Sequence, residues 1–299
     1  MKLFWEKQSY KRKFDIKSFR NTKEHNIFAN WSPYSRGLTF YNFFINYYVN
    51  NNKEDFIKFK KRINNLNLGN PPGIFYEDKY KISYDDCVSF EELNFLKKNF
   101  KKGSLKKIIE IGPGYGRMVE VIIKNFNVSK YIVVDYKSIL ALTKKYLSKV
   151  LSKSEYKKVE FLNFEDFRFE KDLFKNRFKI NKFDLFINSD SFHEIEKNII
   201  FKYQKYFSLI CNHFFIKNAF GKYKPKDLIN HLNNYKVPKK IKNLGLCCEV
   251  VNVFSKKVAF HQIRKYLKKY NPYKKLKKIA FELSEIYPTT VLAIFKKKN

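Results

Sequence analysis

Ten residues, Ile108–Arg117 (IIEIGPGYGR), constrain the fold more than any other stretch. An apolar run ends in an acid, three glycines follow at alternate positions, and an amphipathic segment begins directly after them. Glycine takes a positive φ without a Cβ penalty, so Gly112, Gly114 and Gly116 permit a tight turn and a close backbone approach. A strand that feeds a helix through such a turn is the first unit of a parallel α/β sheet.

The rest of the chain continues the alternation. Lys107–Ile111, Tyr131–Asp135, Val159–Asn163, Phe183–Asn188 and Phe214–Ala219 read as short buried strands. Tyr115–Phe126, Ser138–Leu151, Glu194–Cys211 and Lys226–Leu232 read as the helices between them. Cys248–Phe254 and Thr290–Phe295 read as two late strands, which makes seven. In such sheets ligands bind at the carboxyl ends of the strands. Before the glycine turn, Thr39–Val49, Glu54–Leu66 and Asp85–Phe100 read as helices, and Asn67–Gly73 as a turn cluster. The expected division is a helical region over residues 1–100, a candidate acceptor-binding cap, and an α/β domain over 101–299.

The turn has G-x-G-x-G spacing and lacks the third glycine of the dinucleotide fingerprint G-x-G-x-x-G. Glu110, two residues before the first glycine, would repel a pyrophosphate and can help hold a cationic amino group. Both details favour S-adenosyl-L-methionine over NAD. Asp135 ends the next strand, about 20 residues on, where a carboxylate can accept hydrogen bonds from a ribose diol; it can equally cap the following helix. After the third strand, Asn163, Phe164 and Glu165 are candidates for an adenine site, and which of them faces it is open.

The segment FDLFINSDSFHEI (183–195) ends the fourth strand at Asn188 and Ser189. The loop beyond it is expected at the reacting group. Asp190 and His193 are therefore the candidate catalytic pair, with His193 as general base on a hydroxyl. The alternative is that Asp190 or Ser191 caps a helix and Glu194 completes its first turn. The expected metal set is empty, because no compact His/Asp ligand cluster is visible.

These segments resemble class I S-adenosylmethionine-dependent methyltransferases. IIEIGPGYGRMVEVIIK, YIVVDYKSILALTKKYLSKVL and DLFINSDSFHEI together are similar to the bacterial sugar O-methyltransferase family, best over residues 70–220. The resemblance implies a Rossmann-like fold with a seven-stranded, mostly parallel sheet. It implies cofactor contacts at Glu110, Gly112, Gly114 and Asp135, to which Gly116, Asn163, Phe164, Asn188 and Ser189 are added from position. It implies O-methylation of a sugar or nucleotide-linked sugar in polysaccharide or glycoconjugate synthesis. Trp31, Tyr34 and Phe43 are aromatic candidates for stacking on a sugar face, or core residues of the helical region.

Charge supplies the main rival. The chain carries 62 basic and 28 acidic residues, a net +34 over 299 residues. Only eight of the basic residues are arginine, the residue that forks onto phosphates and stacks on bases. Lysine is spread along the chain with Asn, Ile, Phe and Tyr, a set that A/T-rich codons produce. An RNA methyltransferase is therefore the alternative and not the first reading. Asn70-Pro71-Pro72 with Phe75 resembles a base-holding loop, but it precedes the glycine turn instead of following the fourth strand. A protein that keeps the fold without the cofactor is the other rival, and the intact glycine turn argues against it. Cys87, Cys211, Cys247 and Cys248 form no C-x-x-C pair, which suits a reducing compartment. With no leader-like start and no apolar stretch long enough to span a bilayer, a cytoplasmic protein is expected, with peripheral contact to an acidic membrane surface allowed by the charge.

Overall fold

The computed structural model describes residues 15–20, 38–63, 68–76, 80–167, 169, 172–221, 244–247, 249, 251, 255–271, 275–287 and 289–298. The region before the glycine turn holds helices α1 (Leu38–Asn51) and α2 (Lys53–Arg62), then strands β1 (Gly73–Tyr76) and β2 (Tyr80–Ser83), then α3 (Tyr84–Asn99). The three helices match expectation. The antiparallel β1–β2 hairpin, with Ile74 opposite Ile82, does not. Ser83 and Asp86 form a capping box that starts α3: the Ser83 N–H and hydroxyl both donate to Asp86 Oδ2, at 2.8 and 2.9 Å.

From β3 (Lys107–Ile111) the expected alternation appears: α4 (Arg117–Asn125), β4 (Lys130–Asp135), α5 (Lys137–Val150), α6 (Lys153–Tyr156), β5 (Val159–Asn163), α7 (Leu173–Phe178), β6 (Phe183–Ser189), α8 (Lys197–Ile210) and β7 (Cys211–Ala219). The chain closes with α9 (Lys256–Tyr270), β8 (Leu276–Leu283) and β9 (Thr290–Lys297). The sheet has seven strands in the order β5-β4-β3-β6-β7-β9-β8. β6 pairs in parallel with β3 and β7, and β9 runs antiparallel between β7 and β8. This is the expected seven-stranded, mostly parallel Rossmann-like sheet. The order reverses beside β3, and the glycine turn follows that strand, as the switch-point rule requires.

The late strands differ in part from expectation. Glu249 and Val251 lie outside the sheet, the remainder of 248–254 lies outside the described residues, and the seventh strand is Leu276–Leu283. Its edge position explains why its pattern is weak: Lys277, Lys278 and Ile279 face solvent and only Leu276 is buried. The expected helix Lys226–Leu232 lies outside the described residues, as do Trp31 and Tyr34. The expected helix from Glu194 begins at Lys197, after a short 3-10 turn over Phe192–Glu194.

By packing, the chain divides into two compact units. The first comprises residues up to Ser104, Pro113–Lys130 and Asp135–Phe164; the second comprises Leu105–Gly112, Tyr131–Val134 and Glu165 onward. Among the described residues no helix is long and apolar enough to cross a membrane.

Candidate active site

All three glycines of the turn have positive φ: 73° at Gly112, 56° at Gly114 and 100° at Gly116. Two of the three glycine N–H groups are engaged within the chain. Gly112 donates to the Val134 carbonyl at 3.0 Å and Gly116 to the Pro113 carbonyl at 3.0 Å. The Gly114 N–H lies near the Asp135 carboxylate, whose ionised form it favours. A pyrophosphate site would need these donors aimed outward. Two of the three donors are instead used within the chain.

In the first unit, Asp135 accepts from the Tyr136 N–H at 2.8 Å. Burial pushes this carboxyl up to about 7 despite the two N–H groups, because the ionised form is poorly solvated. Gly114 is held from the other side by Thr143, whose hydroxyl donates to the Gly114 carbonyl at 2.7 Å. A side chain at Gly116 would meet Leu147 and Thr143 at 3.1 Å. Beyond Asp135, the Tyr136 ring lies 5.1 Å from that of Phe164, and Asn163 ends β5 half-buried. Tyr136 is a neighbour that the sequence reading missed.

The same unit also holds an extensive polar cluster under the turn. Arg117 makes a bidentate pair with Glu92 at 2.7 and 3.1 Å. Tyr115 donates to Asp85 at 2.9 Å, which also receives Arg20 at 3.0 Å. Phe19, fully buried, packs edge-on to the Tyr115 ring at 5.1 Å. The turn residues Tyr115 and Arg117 are thereby tied to α3 and to the segment around Arg20.

In the second unit, Glu110 is buried and accepts from the Tyr131 hydroxyl at 2.8 Å. The space a side chain would need at Gly112 is taken by Ser191, whose Cβ would stand 2.6 Å from it. The close approach at this glycine is thus made by the protein's own loop. Asn188 anchors that loop. Its amide donates to the Ile111 carbonyl at 3.1 Å and to the Ser191 hydroxyl, and its Oδ1 accepts from the Phe192 N–H at 3.2 Å and from Asn218 at 2.9 Å. Those four bonds fill the hydrogen-bonding capacity of the side chain, so Asn188 positions the loop. Ser189 is buried beside it, its hydroxyl 3.5 Å from Asp190 Oδ2.

Asp190 and His193 each face a different partner. The Asp190 carboxylate takes the Lys217 ammonium at 2.6 Å, whereas His193 Nε2 stands 3.7 Å from Glu194. The expected Asp190–His193 pairing gives way to Asp190–Lys217 in this structure. The signal for Lys217 was present in the sequence: a lysine inside the apolar run FFIKNAF. Among the described residues no group of three or more His, Cys, Asp or Glu side chains is placed to hold a metal ion.

No family model and no curated protein matches the chain. Solved structures with similar traces include the methyltransferase domain of bacterial CtHen1, at 13% identity over 71% of this chain and 97% of that one, with a TM-score of 0.47. A protein from Pyrococcus horikoshii OT3 matches at 16% identity over 72% and 92%, with a TM-score of 0.47. The mitomycin 7-O-methyltransferase MmcR matches at 9% identity over 72% and 56%, with a TM-score of 0.46. This chain thus spans little more than half of MmcR. Likeness of this degree does not transfer a chemistry.

Proposed function

We propose that the chain is an S-adenosyl-L-methionine-dependent methyltransferase that acts on a hydroxyl of a sugar or nucleotide-linked sugar in the cytoplasm. One observation supports this most: three positive-φ glycines, two of whose N–H groups are engaged internally, with an acidic side chain ending the next strand. A cofactor that enters here needs room and a ribose acceptor, and needs no phosphate donors. Asp135 would accept the ribose hydroxyls, the Tyr136 and Phe164 rings would cover the adenine, and Asn163 would meet its polar edge. Gly114 would allow the backbone approach at the turn. Bound there, the cofactor supplies an electrophilic methyl group on a sulfonium with a good leaving group. The chain's tasks are then alignment and removal of the acceptor proton. Residues 1–100 would supply the acceptor-binding cap, with Phe43, strongly exposed on α1, as one aromatic in it.

Calorimetric titration of S-adenosylmethionine tests the reading. We expect micromolar binding that falls at least tenfold in Asp135→Ala, since hydrogen bonds to a charged acceptor contribute about 1.5–3 kcal/mol. Ribose hydroxyls donating to Asp135 favour its ionised form, so affinity should rise from pH 6 to pH 8, through the value of about 7. No binding by the wild type sinks the reading. The net charge favours a second reading, an RNA acceptor. Acceptor affinity that falls steeply with salt would select RNA, and salt-independent affinity would select a neutral sugar.

A further inference from the structure

We infer that Lys217 positions Asp190 as the base that takes the acceptor's hydroxyl proton. This rests on the methyltransferase reading and assigns the role to a pair that does not include His193.

The sheet register makes the pair. Ser189, the last residue of β6, lies opposite Lys217 of β7. Asp190 follows immediately, at φ +59°, a left-handed conformation uncommon for a residue with a Cβ. Two bonds hold it there. Its N–H donates to the Lys217 carbonyl at 2.7 Å, and its Oδ2 accepts from Lys217 Nζ at 2.6 Å. The lysine side chain is 0% exposed, while the aspartate is 40% exposed. Lys217 Nζ also stands 5.2 Å over the Tyr287 ring. A fully buried cation therefore fixes a carboxylate that solvent and ligands can reach, at the carboxyl end of a central strand. Strained backbone of this kind persists where its surroundings over-determine it, and such positions cluster at active sites.

In the step assigned to the pair, the acceptor O–H gives its proton to Asp190 as the oxygen's electron pair forms the new O–C bond. The S–C bond breaks and its electrons stay on sulfur, which leaves as a neutral thioether. Lys217 keeps its proton throughout.

The experiment has two arms. The first measures thermal melting of Lys217→Met and of the double variant Asp190→Asn/Lys217→Met. Removing both charges together leaves neither uncompensated, so the double variant should melt within about 2 °C of wild type or above it. A structural pair would instead lower the melt well below that, which overturns the inference. The second arm uses methyl-tritiated S-adenosylmethionine with a mixture of nucleotide sugars as acceptors. Asp190→Asn should lose about 10²–10⁴-fold in kcat, and Lys217→Met at least tenfold, with cofactor affinity unchanged in both. Wild-type kcat in Lys217→Met overturns the pair and leaves the methyltransferase reading standing. Wild-type protein that binds no cofactor overturns that reading and the pair with it. Cofactor binding without transfer to any nucleotide sugar overturns the hydroxyl-base assignment alone.

Discussion

Around Arg117 the first unit buries charge; around Phe207 the second buries rings. In the first unit Arg117–Glu92, Arg20–Asp85 and Lys60–Asp86 are ion pairs between 2.7 and 3.0 Å, each with at least one partner withdrawn from solvent. In the second, the Phe207 ring lies 4.6 Å from Phe186, 5.2 Å from Tyr206 and 5.9 Å from Phe167. Bidentate pairs tolerate one geometry, whereas stacked and tilted rings tolerate several. The contrast teaches where the molecule needs a single arrangement. Two of these pairs act on the glycine turn, Arg117–Glu92 directly and Arg20–Asp85 through the Tyr115 hydroxyl, so the turn is held by directional bonds. The aromatic interior supplies bulk stability farther along the chain.

The largest expected effect comes from breaking one directional pair. Arg117→Met leaves Glu92, 0% exposed, without its cation. We expect a loss of about 3–5 kcal/mol in denaturant unfolding. Arg117→Met/Glu92→Leu should recover most of it, since an apolar pair of similar volume is often neutral or better. A double variant as unstable as the single would show that the pair itself, and not the stranded carboxylate, sets the stability.

Next in size is Glu120→Gln. Burial outweighs the Tyr146 hydrogen bond at 2.6 Å and the nearby Lys124, and pushes the Glu120 carboxyl up from 4.5 to about 7. The folded state then holds a proton that the unfolded state releases between those values. Stability from this group therefore falls as pH rises from about 4.5 to 7, and the penalty is full above 7. Glutamine removes the penalty and can still accept from Tyr146. We expect a gain of up to about 3 kcal/mol at pH 8 that fades toward pH 4.5. A gain independent of pH would exclude the carboxyl as its source.

The same contrast separates what is legible in the sequence from what is not. β5 begins and ends where its apolar run does, at Val159 and Asn163, and the glycine turn announces β3 and α4 through local spacing alone. α9 was legible in principle: Ala259, Ile263, Tyr266, Leu267 and Tyr270 recur at helical spacing and are all buried. β8 was not, because an edge strand reads as polar and takes its register from β9. The positive φ of Gly112, Gly114 and Gly116 and the place of Asp135 at the end of β4 follow from sequence because their geometry is local. Asp190–Lys217 spans 27 residues and Arg20–Asp85 spans 65, so only the folded chain brings those partners together. Asn188 illustrates the same limit: its polarity suggested a ligand, yet Asn218, 30 residues on, and the Ile111 carbonyl use that polarity inside the protein.

The smallest effect tests the other side of the comparison. Phe207 is fully buried among Phe167, Phe186, Tyr203 and Tyr206. Phe207→Leu keeps an apolar side chain of nearly the same bulk and forfeits only ring-specific contacts, each about 0.5–1.5 kcal/mol at most and partly replaced by dispersion. We expect about 1 kcal/mol, against about 3–5 for Phe207→Ala, which opens a cavity. Cofactor affinity should move little, since none of the ring contacts given for Phe207 is with a residue of the glycine turn. A Phe207→Leu loss as large as that of Arg117→Met would mean that the rings are as geometrically exacting as the ion pairs. The division between a directional interior under the turn and a forgiving one beyond it would then fail.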